Sequence, residues 1–75
     1  MHARETADMP IAHLHILEGR PKEKRVALIR NVTHAIAESL DVPAERVRVV
    51  VQEVPLDHWG IGGETAEERR RDGGG

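Results

Sequence analysis

The sequence predicts an α+β fold: one βαβ unit with parallel strands, a short C-terminal hairpin, and a sheet extended by oligomerisation. Three observations carry this expectation. Ile11–Leu17 and roughly Arg46–Val54 alternate with the period of a strand. Between them lies a stretch of helical length whose apolar residues recur at three- and four-residue steps. The chain has 75 residues and no cysteine. A domain of that size buries only ~60 % of the surface its unfolded chain exposes. Disulfides are excluded, so association with copies of itself is the expected source of additional stability.

Each element follows from its residues. Residues 1–9 are polar and without pattern, and read as an extension. In the first strand Ala12, Leu14 and Ile16 share one face, while His13 and His15 lie on the other with Ile11 and Leu17. Glu18-Gly19-Arg20 breaks the run, and Pro21 suits the first turn of a helix. Val26, Ile29, Val32, Thr33, Ile36 and Leu40 then form one helical stripe, with Lys22, Glu23, Lys24, Arg30, Asn31 and Glu38 mostly away from it. Asp41-Val42-Pro43 stops the helix, because proline cannot continue its hydrogen-bond ladder. In the second strand Val47, Val49 and Val51 point one way and Arg46, Arg48, Val50 and Gln52 the other, and Pro55 ends it. A strand, a helix and a strand of these lengths imply a crossover with parallel strands. The glycines of Gly60-Ile61-Gly62-Gly63 predict tight turns and a short hairpin. Residues 10–64 thus form the expected domain. Residues 65–75 read as a polar tail, disordered beyond a short ordered piece and above all at Gly73-Gly74-Gly75.

Composition excludes several function classes. A net charge of −2 and a pI near 6.2 offer no bulk attraction for nucleic acid. Arg69-Arg70-Arg71 is flanked by Glu67-Glu68 and Asp72, and reads as a solvated stretch. No apolar run approaches the ~20 residues of a membrane span. The first residues lack the apolar stretch of a signal peptide, so a cytoplasmic location is expected. His13-x-His15 could form half of a zinc site, but His2, His34 and His58 have no completing spacing, which favours surface or structural roles. Gly60-Ile61-Gly62-Gly63 lacks the lysine and helix context of a phosphate loop. No Ser-His-Asp or Cys-His arrangement is available.

Pro10, Arg20, Arg48 and Trp59 remain. Each has an ordinary explanation alone: a proline may open a strand without loss, arginines favour loops and solvent-facing positions, and a lone tryptophan can anchor a core. Together they form a pattern. Met9-Pro10-Ile11-Ala12-His13-Leu14-His15-Ile16-Leu17-Glu18-Gly19-Arg20, with Val47-Arg48-Val49 and His58-Trp59-Gly60-Ile61-Gly62-Gly63, resembles the 4-oxalocrotonate tautomerase family at the family's spacing. The resemblance spans about Pro10 to Glu64. It implies a βαβ fold and a homohexamer, commonly a trimer of dimers, with sites drawn from more than one subunit. It also implies a mature chain that begins at the proline, and cofactor-free keto–enol isomerisation of an unsaturated carboxylic acid.

The resemblance assigns roles residue by residue. Pro10 is the general base, Arg48 holds the carboxylate and oxygen of the reacting end, and Arg20 binds the distal carboxylate. Trp59 stands where the family usually has phenylalanine, which bears on substrate preference. The chemistry is consistent. A proline nitrogen within a peptide bond is an amide without basicity, whereas at a chain start it is a secondary amine. Free α-amino groups titrate near ~8, and burial with nearby cations moves such an amine toward the operating pH. Initiation at Met9 followed by methionine removal would free that amine. Retention of residues 1–9 would instead imply a catalytically silent oligomeric module. Dehalogenases and decarboxylases of related type use the proline in protonated form, but the sequence shows no persuasive residue to activate water.

Overall fold

The structure, a computed structural model, describes residues 9–73. Strand β1 (Ile11–Leu17), helix α1 (Lys22–Leu40) and strand β2 (Arg48–Val54) form the βαβ unit. A hairpin of β3 (Gly60–Ile61) and β4 (Glu64–Thr65) follows, then helix α2 (Ala66–Gly73). β1 and β2 pair in parallel with Ile11 opposite Arg48 and Leu17 opposite Val54. That register puts Ala12, Leu14 and Ile16 on one face with Val49, Val51 and Glu53. Ile11, His13 and His15 share the other face with Arg48, Val50 and Gln52.

Helix α1 ends through its own backbone before Pro43 is reached. Asp41 adopts the left-handed conformation at φ 59°, and its N–H bonds to the Ala37 carbonyl. The Val42 N–H reaches the same carbonyl at 3.1 Å. Asp41 thus occupies the position glycine most often takes at a helix end. Sequence alternation predicts that β2 starts near Arg46, but it starts at Arg48. Pro43 sets φ at −63° and opens a 3₁₀ turn over Ala44–Arg46, which draws those residues out of the ladder.

The helix stripe also differs from its predicted composition. The residues partly covered in the fold include Arg25, Leu28, Val32 and Ile36, so a charged residue belongs to the covered side. Val26, Ile29 and Leu40 remain exposed, Leu40 by 54 %. The apolar stripe is wide enough for two surfaces, and the chain's own sheet covers only one. The sheet's second face is open in the same way, with Val50 exposed and Ile11 exposed by 69 %. Among the described residues only Val47 (8 %) and Ala66 (7 %) are buried. Burying an aliphatic side chain fully contributes about 1.5–3 kcal/mol, so the open faces are a strong drive to association. A chain with these faces self-associates.

The hairpin turn requires its glycines. Gly62 and Gly63 have φ of 61° and 94°, as a two-residue turn of the type that matches strand twist demands. Beyond it, polar composition predicts a tail that is disordered past a short ordered piece; the chain forms helix α2 there. The cause is a reciprocal cap. The Thr65 hydroxyl accepts from the Glu68 N–H at 3.1 Å, and the Glu68 carboxylate accepts from the Thr65 N–H at 2.8 Å. Glu67 and Glu68 lie in the first turn and Arg70 and Arg71 in the last, complementing the helix dipole. Gly74 and Gly75 lie outside the described residues, as does the extension before Met9.

The Thr65 backbone and side-chain bonds hold the Glu68 carboxyl below its usual range. Its contribution to α2 is present above the ordinary glutamate pKa and fades as pH falls through the lowered value. Thr65→Ala is expected to destabilise the fold by about 1 kcal/mol, as loss of a threonine cap does. A denaturant titration of the assembled protein reads this, and an unchanged midpoint would contradict it.

Candidate active site

Pro10 lies directly before β1 and is half-buried. Its carbonyl accepts a hydrogen bond from the Arg48 N–H at 3.0 Å, extending the parallel ladder by one step. Proline has no N–H to offer that ladder, so the sheet leaves its nitrogen unengaged. The Arg48 guanidinium turns toward the preceding 3₁₀ segment, donating to the Glu45 carbonyl at 2.8 Å. Two of the four sequence candidates therefore meet, through their backbones, at the N-terminal ends of the parallel strands.

Arg20 lies at the opposite end. β1 rises roughly 20 Å from Ile11 to Leu17, and Arg20 follows in the loop beyond it. That loop turns at Gly19, whose φ of 122° is reached most readily by glycine. The Glu18 N–H bonds to the Val54 carbonyl at 3.0 Å, fixing the loop's start to the end of β2. The Arg20 guanidinium folds back to donate to the Leu17 carbonyl at 3.1 Å. Trp59 follows a 3₁₀ turn over Leu56–His58 beyond the end of β2. It is half-buried, and its carbonyl accepts from the buried Ala66 at 2.8 Å. Within one protomer Pro10 and Arg20 are thus too far apart for a common small ligand. A site that uses both takes them from different copies.

Arg20 opens onto a groove of about 310 Å³ lined also by Ile16, Lys24, Arg25 and Leu28. Its floor is apolar, and every charged side chain lining it is cationic. Such a surface suits an organic acid, since guanidinium forks pair well with carboxylates. Sequence reasoning missed Lys24 and Arg25 here. Lys24 reads as a solvent-facing helix residue, while Arg25 falls on the helix side that packs on the sheet. The available signal was Glu53, an acidic residue on the same sheet face as Val49 and Val51. A charge there calls for a partner, and Arg25 supplies it at 3.0 Å.

His13 and His15 stack on the open sheet face with ring centroids 5.3 Å apart. No third potential metal ligand joins them among the described residues. No helix among those residues is long and apolar enough to cross a membrane.

Comparison with known proteins agrees with this architecture. The family profile described as "Tautomerase enzyme" matches residues 10–69. The 2-hydroxymuconate tautomerase of Pseudomonas sp. (strain CF600) is 57 % identical over 63 residues, covering 84 % of this chain and 100 % of that protein. Among solved structures, TomN, a 4-oxalocrotonate tautomerase homologue of tomaymycin biosynthesis, superposes with a TM-score of 0.81 at 40 % identity. That match covers 83 % of this chain and 95 % of TomN. A heterohexameric 4-oxalocrotonate tautomerase from Chloroflexus aurantiacus gives a TM-score of 0.78 at 40 % identity, over 80 % and 97 % of the two chains. Fold, extent and sequence agree, and the chain belongs to the tautomerase family, as an isomerase of the 4-oxalocrotonate tautomerase type.

Proposed function

We propose that this isomerase acts without a cofactor on an unsaturated 2-hydroxy or 2-oxo dicarboxylic acid such as 2-hydroxymuconate, with Pro10 as general base. The observation that carries the reading is the position of Pro10. It opens the sheet, its carbonyl is anchored to Arg48, and its nitrogen has no part in the ladder. When the chain begins at this residue, the nitrogen is a secondary amine at the edge of a rigid element. The family match also starts at residue 10.

The amine lone pair takes a proton from one position of the conjugated acid. Electrons move through the double bonds to leave a dienolate, and the resulting ammonium returns the proton to another carbon. No atom is gained or lost. Arg48 holds the carboxylate and oxygen of the reacting end, where its charge opposes the developing enolate. Arg20, contributed by another copy, binds the distal carboxylate. Trp59 forms an apolar wall that excludes water. The assembly is a homohexamer built as a trimer of dimers, covering the open faces of α1 and the sheet. The setting is cytoplasmic, in the breakdown of aromatic compounds.

Two measurements test the proposal together. The intact mass of the natively expressed protein is expected to correspond to a chain starting at Pro10. That protein is expected to ketonise 2-hydroxymuconate without added metal or cofactor. A mass retaining residues 1–9 in a preparation with full activity would overturn the role of Pro10.

A further inference from the structure

We propose that Arg25 is a positioning residue for Arg20, held by Glu53, and so sets preference for dicarboxylic over monocarboxylic substrates. This rests on the reading of Arg20 as the distal carboxylate ligand. Both bonds come from one nitrogen: Arg25 Nη1 donates to the Arg20 carbonyl at 3.1 Å and to Glu53 Oε2 at 3.0 Å. A guanidinium Nη carries two hydrogens, so each bond has its own. Arg25 stands on α1, Glu53 on β2, and Arg20 in the loop after β1. The pair therefore ties the Arg20 backbone to both neighbouring elements.

The loop needs such a tie. Its glycine lies at a φ of 122°, where the backbone has wide freedom. The Glu18 bond to Val54 fixes only its first residue. The Arg20 side chain bonds to the carbonyl of Leu17, the last residue of β1, which holds the guanidinium to the strand the loop leaves but does not tie the Arg20 backbone to α1. Arg25 and Glu53 are each 32 % exposed, partly withdrawn from water beside the apolar Ile16 and Leu28 of the groove. Charge-assisted bonds hold geometry well there. Arg25 need not touch substrate; it determines where the Arg20 guanidinium starts from.

The test compares kcat/KM for 2-hydroxymuconate with that for the monoacid in which hydrogen replaces the distal carboxylate. It uses the assembled enzyme starting at Pro10. In Arg25→Met, which keeps helix propensity and an apolar stem, the diacid-to-monoacid ratio is expected to fall about tenfold, the scale of one weakened charged contact. The fall should be carried by KM for the diacid, and Arg25→Lys should recover it. In an Arg20→Ala background, Arg25→Met should move the ratio no further. A parallel loss on both substrates would mark Arg25 as a general structural pin and overturn the proposal. An unmoved ratio in Arg25→Met, with a fall in Arg20→Ala, would also overturn it and leave the reading of Arg20 intact. A ratio unmoved by Arg20→Ala would instead remove the reading on which it rests.

Discussion

In a chain that begins at residue 10, Pro10→Ala is expected to lose most of the ketonisation rate. Acylation of the Pro10 nitrogen, by retained residues or by chemical modification, should remove the contribution of the base altogether, on the order of 10²–10⁴-fold. The two losses differ for a physical reason. Alanine at the chain start still presents a primary amine, although less basic and differently placed. An acylated proline presents only an amide, whose lone pair is delocalised into the carbonyl. The strand itself should tolerate both changes, because β1 receives its contribution from this residue through the carbonyl bonded to Arg48 at 3.0 Å. Alanine and acylated proline both keep that carbonyl. Thermal melting and assembly size are therefore expected to stay close to those of the unmodified protein. Equal turnover by the acylated and free chains, verified by intact mass, would show that the proton is moved by another group.

Much of the fold could be read from periodicity, because the two structures that carry it have periods that do not overlap. The apolar-polar alternation of Ala12, Leu14 and Ile16 with their neighbours marks the half-buried face of β1, which shares its side of the sheet with Glu53, the partner of Arg25 on α1. Periodicity marks helix α1 nearly to its ends for the same reason. Three features were not legible, each with its own cause. The stripe containing Val26, Ile29 and Leu40 looked like a single surface, since periodicity cannot tell a chain's own sheet from another copy. For Arg25, charge alone suggests solvent, and only the pairing with Glu53 shows why it packs inward. Helix α2 was hidden by its composition. Its signal was local, in Thr65 and Glu68 three residues apart, and the run of charges masked it. At the site, residue types suggested the chemistry, but geometry separated the residues. Pro10 and Arg48 are adjacent across the ladder, whereas Arg20 follows a 7-residue strand that carries it away from both.

That separation yields a test on the assembly rather than on one chain. Arg20→Ala and Pro10→Ala chains, each prepared alone, are expected to be poor catalysts, because every site in either assembly lacks one group. Denatured together in equal amounts and refolded, they should recover activity. A site then takes Pro10 from an Arg20→Ala chain and Arg20 from a Pro10→Ala chain in about one quarter of cases by random mixing. The remaining sites lack at least one of the two groups, so recovered activity should approach that fraction of the unmodified enzyme. Mixing without denaturation should recover less, since exchange requires the apolar faces around Ile11 and Leu40 to separate. The outcome discriminates sharply. If Pro10 and Arg20 of one protomer served the same site, no mixture of these chains could contain an intact site. The loop would then have to close roughly 20 Å against the Glu18–Val54 bond and the tie through Arg25, both of which hold it at the far end of the sheet.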